Sequence, residues 1–201
     1  MGDKLIVATQ NPEKLIELRR ILEAGRVPVN VGDLGEYPDM PEVAETGLTF
    51  SENALLKARA VASFTGLPAV ADDSGLCVDA LNGMPGVLSA RWSGRHADDA
   101  ANLQLVLDQM ADIPAEHRGA QFACAAALVL PSGREQVTEG LLDGSLATAP
   151  RGTNGFGYDP IFVPEGYDVT TAEMSPADKD KISHRGRALR ALAPIIAALL
   201  G

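Results

Sequence analysis

The run Leu67-Pro-Ala-Val-Ala71 passes straight into Asp72-Asp73-Ser74-Gly75, and this junction restricts the chain more than any other stretch. A short apolar run of this kind has the length of a buried strand, and Ser74-Gly75 predicts its end. Acids at the end of a buried strand fall where α/β proteins place ligands, in the crevice beyond the sheet. An ionised carboxylate is costly to bury alone, so a cation or a hydrogen-bond network is expected beside each. Two readings stay open at this point. One is a hard-metal site holding Mg²⁺ or Mn²⁺ on oxygen ligands. The other is a plain turn in which Asp accepts from its own backbone.

The start of the chain repeats the strand-to-ligand logic. Lys4–Thr9, with Leu5-Ile-Val-Ala8 at its centre, reads as a buried strand, and Asn11-Pro12 opens a helix with Asn as N-cap. Leu15, Leu18, Ile21 and Leu22 form its apolar stripe, and Gly25 ends it. The free N–H groups of such a helix start make an anion site. Lys14 has the wrong sign for the helix dipole there. That suits contact with phosphate, or equally a solvated lysine offset by Glu13 and Glu17. Pro28–Val31 is a short strand, and an acidic loop then runs to Gly47. Thr49-Phe-Ser-Glu52 is a capping box for a helix reaching about Thr65. Glu45 stands just ahead of it, as a second oxygen ligand or as an ordinary solvated acid. Leu76–Leu81 reads as the partner strand beyond the acidic turn. Asp98 or Asp99 opens a helix to about Met110, and Gln121–Leu130 and Gln136–Leu146 read as antiparallel strands around Pro131-Ser-Gly133.

The stretch from Pro150 to Pro160 carries Gly152, Gly155 and Gly157, which permit close backbone approach to a ligand. Phe156 offers a ring face to a base, or tucks into the core under a surface loop. Ile161-Phe-Val163 reads as a strand, so no helix follows and this is not a dinucleotide fingerprint. Ser175-Pro176-Ala-Asp178 caps a short helix, and a last helix spans Ser183 to Leu200. Lys179, Lys181, His184, Arg185 and Arg187 crowd its beginning, a basic focus in a chain of net charge −10. Paired with Asp178 and Asp180, the same residues make a solvated face.

That net charge argues against a nucleic-acid-binding surface, which needs a basic footprint. With 201 residues, 46% hydrophobic and 22% charged, the chain suits one large domain or two lobes around a real core. Cys77 and Cys124 lack zinc spacing and read as buried thiols of a reducing cytoplasm. No secretory signal is recognisable, and the longest apolar run, near residues 191–200, is too short for a bilayer and contains Pro194. The expectation is a soluble, cytoplasmic protein with a metal–nucleoside polyphosphate pocket and no nucleic-acid or membrane partner. A P-loop is absent, and no Ser/His/Asp or Cys/His arrangement commends itself.

Ala8-Thr9-Gln-Asn11-Pro-Glu-Lys14, Glu45-Thr-Gly-Leu-Thr-Phe-Ser-Glu-Asn-Ala54, Ala71-Asp-Asp-Ser-Gly-Leu76, Phe156-Gly-Tyr-Asp-Pro160 and Ser183-His-Arg-Gly186 resemble the five motif blocks of the inosine triphosphate pyrophosphatase family, in that family's order and across nearly the whole chain. The resemblance implies an α/β protein with a long mixed β-sheet in a two-lobed ITPase-like fold, residues 1–201 forming one domain with a nucleotide cleft between its lobes, usually as a homodimer. It also implies Mg²⁺-dependent hydrolysis of ITP, dITP and XTP to the monophosphate and pyrophosphate, which clears deaminated purines from the nucleotide pool. One or more Mg²⁺ per subunit is the implied cofactor. Carried over by position, Thr9, Gln10, Asn11, Pro12, Glu13 and Lys14 would meet the triphosphate. Glu45 and Asp73 would serve the metal, with Asp73 the proton acceptor. Ser74, Phe156, Gly157, Tyr158, Asp159, Lys179, His184 and Arg185 would hold the nucleotide. Ala44 stands where some relatives have a second Glu, which leaves Glu45 the one acid there. Two other readings remain: a pyrophosphatase preferring other bases such as modified pyrimidines, and a nucleotide sensor without catalysis.

Overall fold

The structure, a computed structural model, describes residues 4–9, 11–94 and 98–201. Strand β1 (Lys4–Val7) pairs in parallel with β2 (Asn30–Asp33) and with β3 (Ala69–Val78). β4 (Gly119–Val129) and β5 (Glu135–Leu146) follow, and β6 (Phe162–Pro164) pairs antiparallel with β5. The six strands hydrogen-bond in the order β2-β1-β3-β4-β5-β6. Parallel and antiparallel pairs together make the sheet mixed, and helices α1 (Pro12–Ala24), α2 (Phe50–Thr65), α3 (Asp99–Gln109), α4 (Pro176–Ile182) and α5 (His184–Leu200) make the chain α/β.

The chain divides into two compact units. The first comprises Met1–Asp73, Cys124–Gly140 and His184–Gly201; the second comprises Ser74–Ala123 and Leu141–Ser183. In the first unit the strand period of two sorts β1 between two cores. Leu5 and Val7 join Leu18, Ile21 and Leu22 of α1 and Leu189, Leu192 and Ile196 of α5. Ile6 and Ala8 face the opposite way, onto Ala54, Ala58 and Val61 of α2. With both faces covered, a continuous apolar strand is what the chain requires. In the second unit, Leu76 and Val78 of β3 pack with Phe122, Phe162, Val106 and Met110, the two phenyl rings lying 4.3 Å apart.

The helix signals operate as their chemistry dictates. Thr49 Oγ1 accepts from Glu52 N at 3.1 Å while Glu52 Oε2 accepts from Thr49 N at 3.2 Å, and α2 ends at Gly66 in the left-handed region. Asn11 Oδ1 accepts from Lys14 N at the start of α1. At Leu130-Pro-Ser-Gly-Arg134, Leu130 N donates to Arg134 O at 2.9 Å, closing the expected hairpin.

One expectation is overturned. Ser74-Gly75 does not stop the strand: β3 runs unbroken from Ala69 to Val78, so Asp72 and Asp73 lie in its middle, and the separate partner strand at 76–81 does not exist. Residues 79–81 are a 3₁₀ turn instead. Turn propensity is local and weak, and it yields where the strand is buried and its carboxylates are neutralised from elsewhere in the chain.

No helix among the described residues is long and apolar enough to cross a membrane.

Candidate active site

Two adjacent strand residues point to opposite faces, and this alone gives Asp72 and Asp73 different neighbours. Both are buried. Asp73 Oδ2 accepts from Asn53 Nδ2 at 3.0 Å, and Asp73 Oδ1 lies 3.6 Å from Lys57 Nζ. The same ammonium donates to Glu45 Oε1 at 2.7 Å. Asn53 and Lys57 are one turn apart on α2, so the helix presents both to the acids. Asn53, fully buried, also accepts from Gly47 N at 2.8 Å through Oδ1, which fixes its amide. Burial raises the Asp73 pKa, the Lys57 charge opposes this, and Glu45 adds to the rise. For Lys57, burial alone would favour the neutral amine, but Asp73, Asp72 and Glu45 outweigh it and hold the ammonium charged.

Asp72 faces two other cations. Its Oδ2 accepts from Lys14 Nζ at 2.7 Å and from Arg185 Nε at 3.1 Å. Arg185 Nη1 in turn donates to Glu17 Oε2 at 3.2 Å. Burial would raise the Asp72 pKa, yet Lys14 and Arg185, with Lys57 beyond them, hold it well below the usual carboxylate range. Arg185 is buried as well, and Asp72 and Glu17 more than offset the cost of that burial for its charge. Arg185 reaches this position because α5 begins close against β5. A Cβ on Gly140 would collide with the His184 carbonyl and the Ala188 amide, so only glycine lets the helix start lie there.

The second unit carries the other expected residues. Asp159, buried, accepts from Phe156 N at 2.9 Å and from Thr171 Oγ1 at 2.8 Å, and pairs with Lys179. Lys179 Nζ also lies 5.6 Å from the centre of the Phe156 ring, within cation–π range. Gly155 has φ 75°, and a Cβ there would strike the Asp159 carboxylate. Phe156 is 36% exposed, so its ring offers a face. Gly157 N donates to Asp99 Oδ2 at 2.9 Å. Tyr158 is committed inward, its hydroxyl donating to Ser89 O at 2.8 Å. Ser74 is half-buried in β3.

The expected residues therefore gather in two sets. Lys14, Glu45, Asp73 and Arg185 belong to the first unit, with Thr9, Asn11 and Pro12 at the mouth of α1 and His184 buried at the start of α5. Thr9 Oγ1 accepts from Asn11 N at 3.1 Å. Ser74, Phe156, Gly157, Tyr158, Asp159 and Lys179 belong to the second unit. Gln10 and the side chain of Glu13 lie outside the described residues. Glu17, Asn53 and Lys57 were missed by sequence reasoning. The available signal was their spacing: each interrupts or borders an apolar helix face rather than standing opposite it. Lys181 and Asp178, by contrast, do form the exposed ion pair expected of a solvated face.

The donor set fits a hard divalent cation. Glu45 and Asp73 already share one positive charge, that of Lys57, and their ligand atoms are oxygens. Among the described residues no group of three or more His, Cys, Asp or Glu converges. Mg²⁺ is commonly held by one or two carboxylates together with water and substrate phosphates, and Glu45 and Asp73 supply two carboxylates.

The comparisons with known proteins agree with the family resemblance. Over 198 residues the chain is 61% identical to the dITP/XTP pyrophosphatase of Streptomyces coelicolor, covering 98% of this chain and 99% of that protein. It also matches the crystal structure of a nucleoside-triphosphatase / dITP/XTP pyrophosphatase from Mycobacterium abscessus, with a TM-score of 0.79 and 60% identity over 95% of this chain and 99% of the other. A HAM1 protein from Coxiella burnetii matches with a TM-score of 0.89 and 41% identity over 97% and 98% of the two chains. The profile of the Ham1 family spans residues 5–195, and the chain belongs to that family.

Proposed function

We propose that this protein is an Mg²⁺-dependent pyrophosphatase that converts ITP, dITP and XTP to the monophosphate and pyrophosphate, as a cytoplasmic homodimer that keeps the nucleotide pool free of deaminated purines. The observation that carries the reading is the pair Glu45 and Asp73 around one cation, with Asn53 fixing Asp73. The names of the relatives, dITP/XTP pyrophosphatase, support the same chemistry.

Water attacks the α-phosphorus and pyrophosphate leaves, so negative charge grows on the bridging and equatorial oxygens. Asp73, whose pKa burial raises, orients the attacking water and takes its proton, as a base of raised pKa does efficiently. Asn53 holds the Asp73 carboxylate in one orientation. Lys14, in the first turn of α1, meets the phosphates beside the positive end of the helix dipole. Glu45 and Asp73 hold Mg²⁺, which when bound supplies Lewis-acid neutralisation of the phosphate oxygens. Phe156 and Lys179 receive the nucleoside, and Arg185, with His184, reads the 6-oxo group of the purine. Adenine presents hydrogens at that position and leaves donors unpaired, a strong basis for rejection.

Product analysis with ITP, XTP, dITP, GTP and ATP, with and without Mg²⁺, tests this. Metal-dependent pyrophosphate from the inosine and xanthosine nucleotides, with little from ATP, is the expected result. Orthophosphate would place the attack at a different phosphorus, and tight nucleotide binding without turnover would make the protein a sensor.

A further inference from the structure

Asp72 has no part in the chemistry above, yet it accepts from the two cations that the reading assigns to opposite ends of the substrate. One oxygen, Oδ2, takes both Lys14 Nζ and Arg185 Nε. Glu17 then closes on Arg185. The result is a chain of alternating charge, Lys14–Asp72–Arg185–Glu17, with two positive and two negative members. Its geometry follows from three elements: α1 supplies Lys14 and Glu17 one turn apart, β3 supplies Asp72, and the first turn of α5 supplies Arg185.

Exposure is uneven along this chain. The Lys14 side chain is 17% exposed, against 7% for Arg185 and 9% for Asp72. An arriving polyanion therefore acts first on Lys14. An oxygen shared by two cations divides its attraction between them. An ammonium has three donors, so Lys14 meets phosphate while keeping Asp72 Oδ2, and the oxygen that Arg185 Nε shares is thereby anchored; in a buried, low-dielectric setting that linkage is not screened away.

We propose that Asp72 is a positioning residue that couples the phosphate-reading Lys14 to the base-reading Arg185, so that seating the triphosphate sets the guanidinium for the purine. This rests on the functional reading above, which assigns Lys14 to phosphate and Arg185 to the base. Asp72 touches neither the reacting atoms nor the base; it acts through its two partners. A carboxylate that only neutralised two buried cations would support the fold and affect every substrate alike. Coupling makes a different demand, because a change at the phosphate end must alter discrimination at the base end. Couplings between sites are commonly about 5- to 150-fold, and a link through a single shared oxygen belongs at the lower end of that range.

The experiment is the ratio of kcat/KM for ITP over ATP in the wild type, Lys14→Met, Asp72→Asn and the double variant. ITP and ATP carry the same triphosphate, so Lys14→Met should slow both equally unless the two ends are coupled. The expected result is a roughly fivefold lower ratio in Lys14→Met, at the lower end of typical couplings. Asp72→Asn should show a similarly lowered ratio, with no further fall in the double variant. An unchanged ratio in Lys14→Met and Asp72→Asn, with both rates reduced together, overturns the coupling. If Asp72→Asn does not fold, Lys14→Met decides alone, since it leaves Asp72 and Arg185 in place: a moved ratio supports the coupling and an unmoved one overturns it. A wild-type protein unable to split ITP at all would refute the functional reading itself, an outcome visible before any variant is made.

Discussion

Two arginines, one in each unit, are almost wholly removed from solvent: Arg118 at 4% exposure and Arg185 at 6%. They are satisfied in opposite ways. Arg118 donates to backbone carbonyls, those of Leu146 at 2.8 Å, Met110 at 2.6 Å and Ala147 at 3.0 Å, and among the described residues it has no carboxylate partner. Carbonyls are fixed by the chain itself, so this guanidinium clamps the end of α3 to the end of β5 and nothing is left to rearrange. Arg185 donates instead to Asp72 and Glu17, two side chains, one of which also serves Lys14. A charge held by charges responds to any further charge brought near, while a charge held by main-chain dipoles does not. The first arrangement suits a ligand site, the second a strut.

The largest expected effect concerns the carboxylate beside Asp72. Asp73→Asn should lower kcat/KM on ITP by roughly 10²–10⁴-fold, the usual loss for a well-placed base, while circular dichroism and the urea midpoint stay near wild type. Near wild-type turnover would remove Asp73 from its role. Arg118→Met should show the reverse pattern. Leaving several buried carbonyls without a donor costs about 3 kcal/mol or more of stability, read as a lower urea midpoint, with kcat of the remaining folded protein unchanged. If Arg118→Met instead altered substrate discrimination, the contrast between strut and site would fail.

The same contrast governs what could be read from the sequence. The strand of β1 and the stripe of α1 were legible because each buries a face whose period the residues repeat, and the α2 capping box because its partners are three residues apart. The interruption expected at Ser74-Gly75 was not legible as a strand, since what stabilises the acids there comes from afar: Lys14 is 58 residues from Asp72 and Arg185 is 113. Lys179 looked like part of a solvated face because Asp178 and Asp180 flank it, whereas its partner Asp159 is 20 residues away. Glu17 looked like a surface counter-charge to Lys14 and is instead buried against Arg185. Arg118 gave no signal at all, because its acceptors are carbonyls that every residue possesses.

The smallest effect, and the one most particular to the comparison, is a dependence on pH. Lys14 and Arg185 hold the folded-state pKa of Asp72 below the ordinary aspartate value, which is about 3.9 in an unfolded chain. A carboxylate depressed in the fold stabilises it above the unfolded value, where both states are ionised. That contribution is lost as pH falls through the folded value, because the unfolded chain takes up its proton first. The urea midpoints of wild type and Asp72→Asn should therefore differ by a constant amount from neutral pH down to about 4 and converge as the pH drops further. Arg118 supplies the control: its acceptors do not titrate, so the deficit of Arg118→Met should keep its size over the same range. A deficit of Asp72→Asn that persisted undiminished into strong acid would mean that packing, not charge, ties Asp72 to its neighbours, and the distinction between the two buried arginines would lose its electrostatic basis.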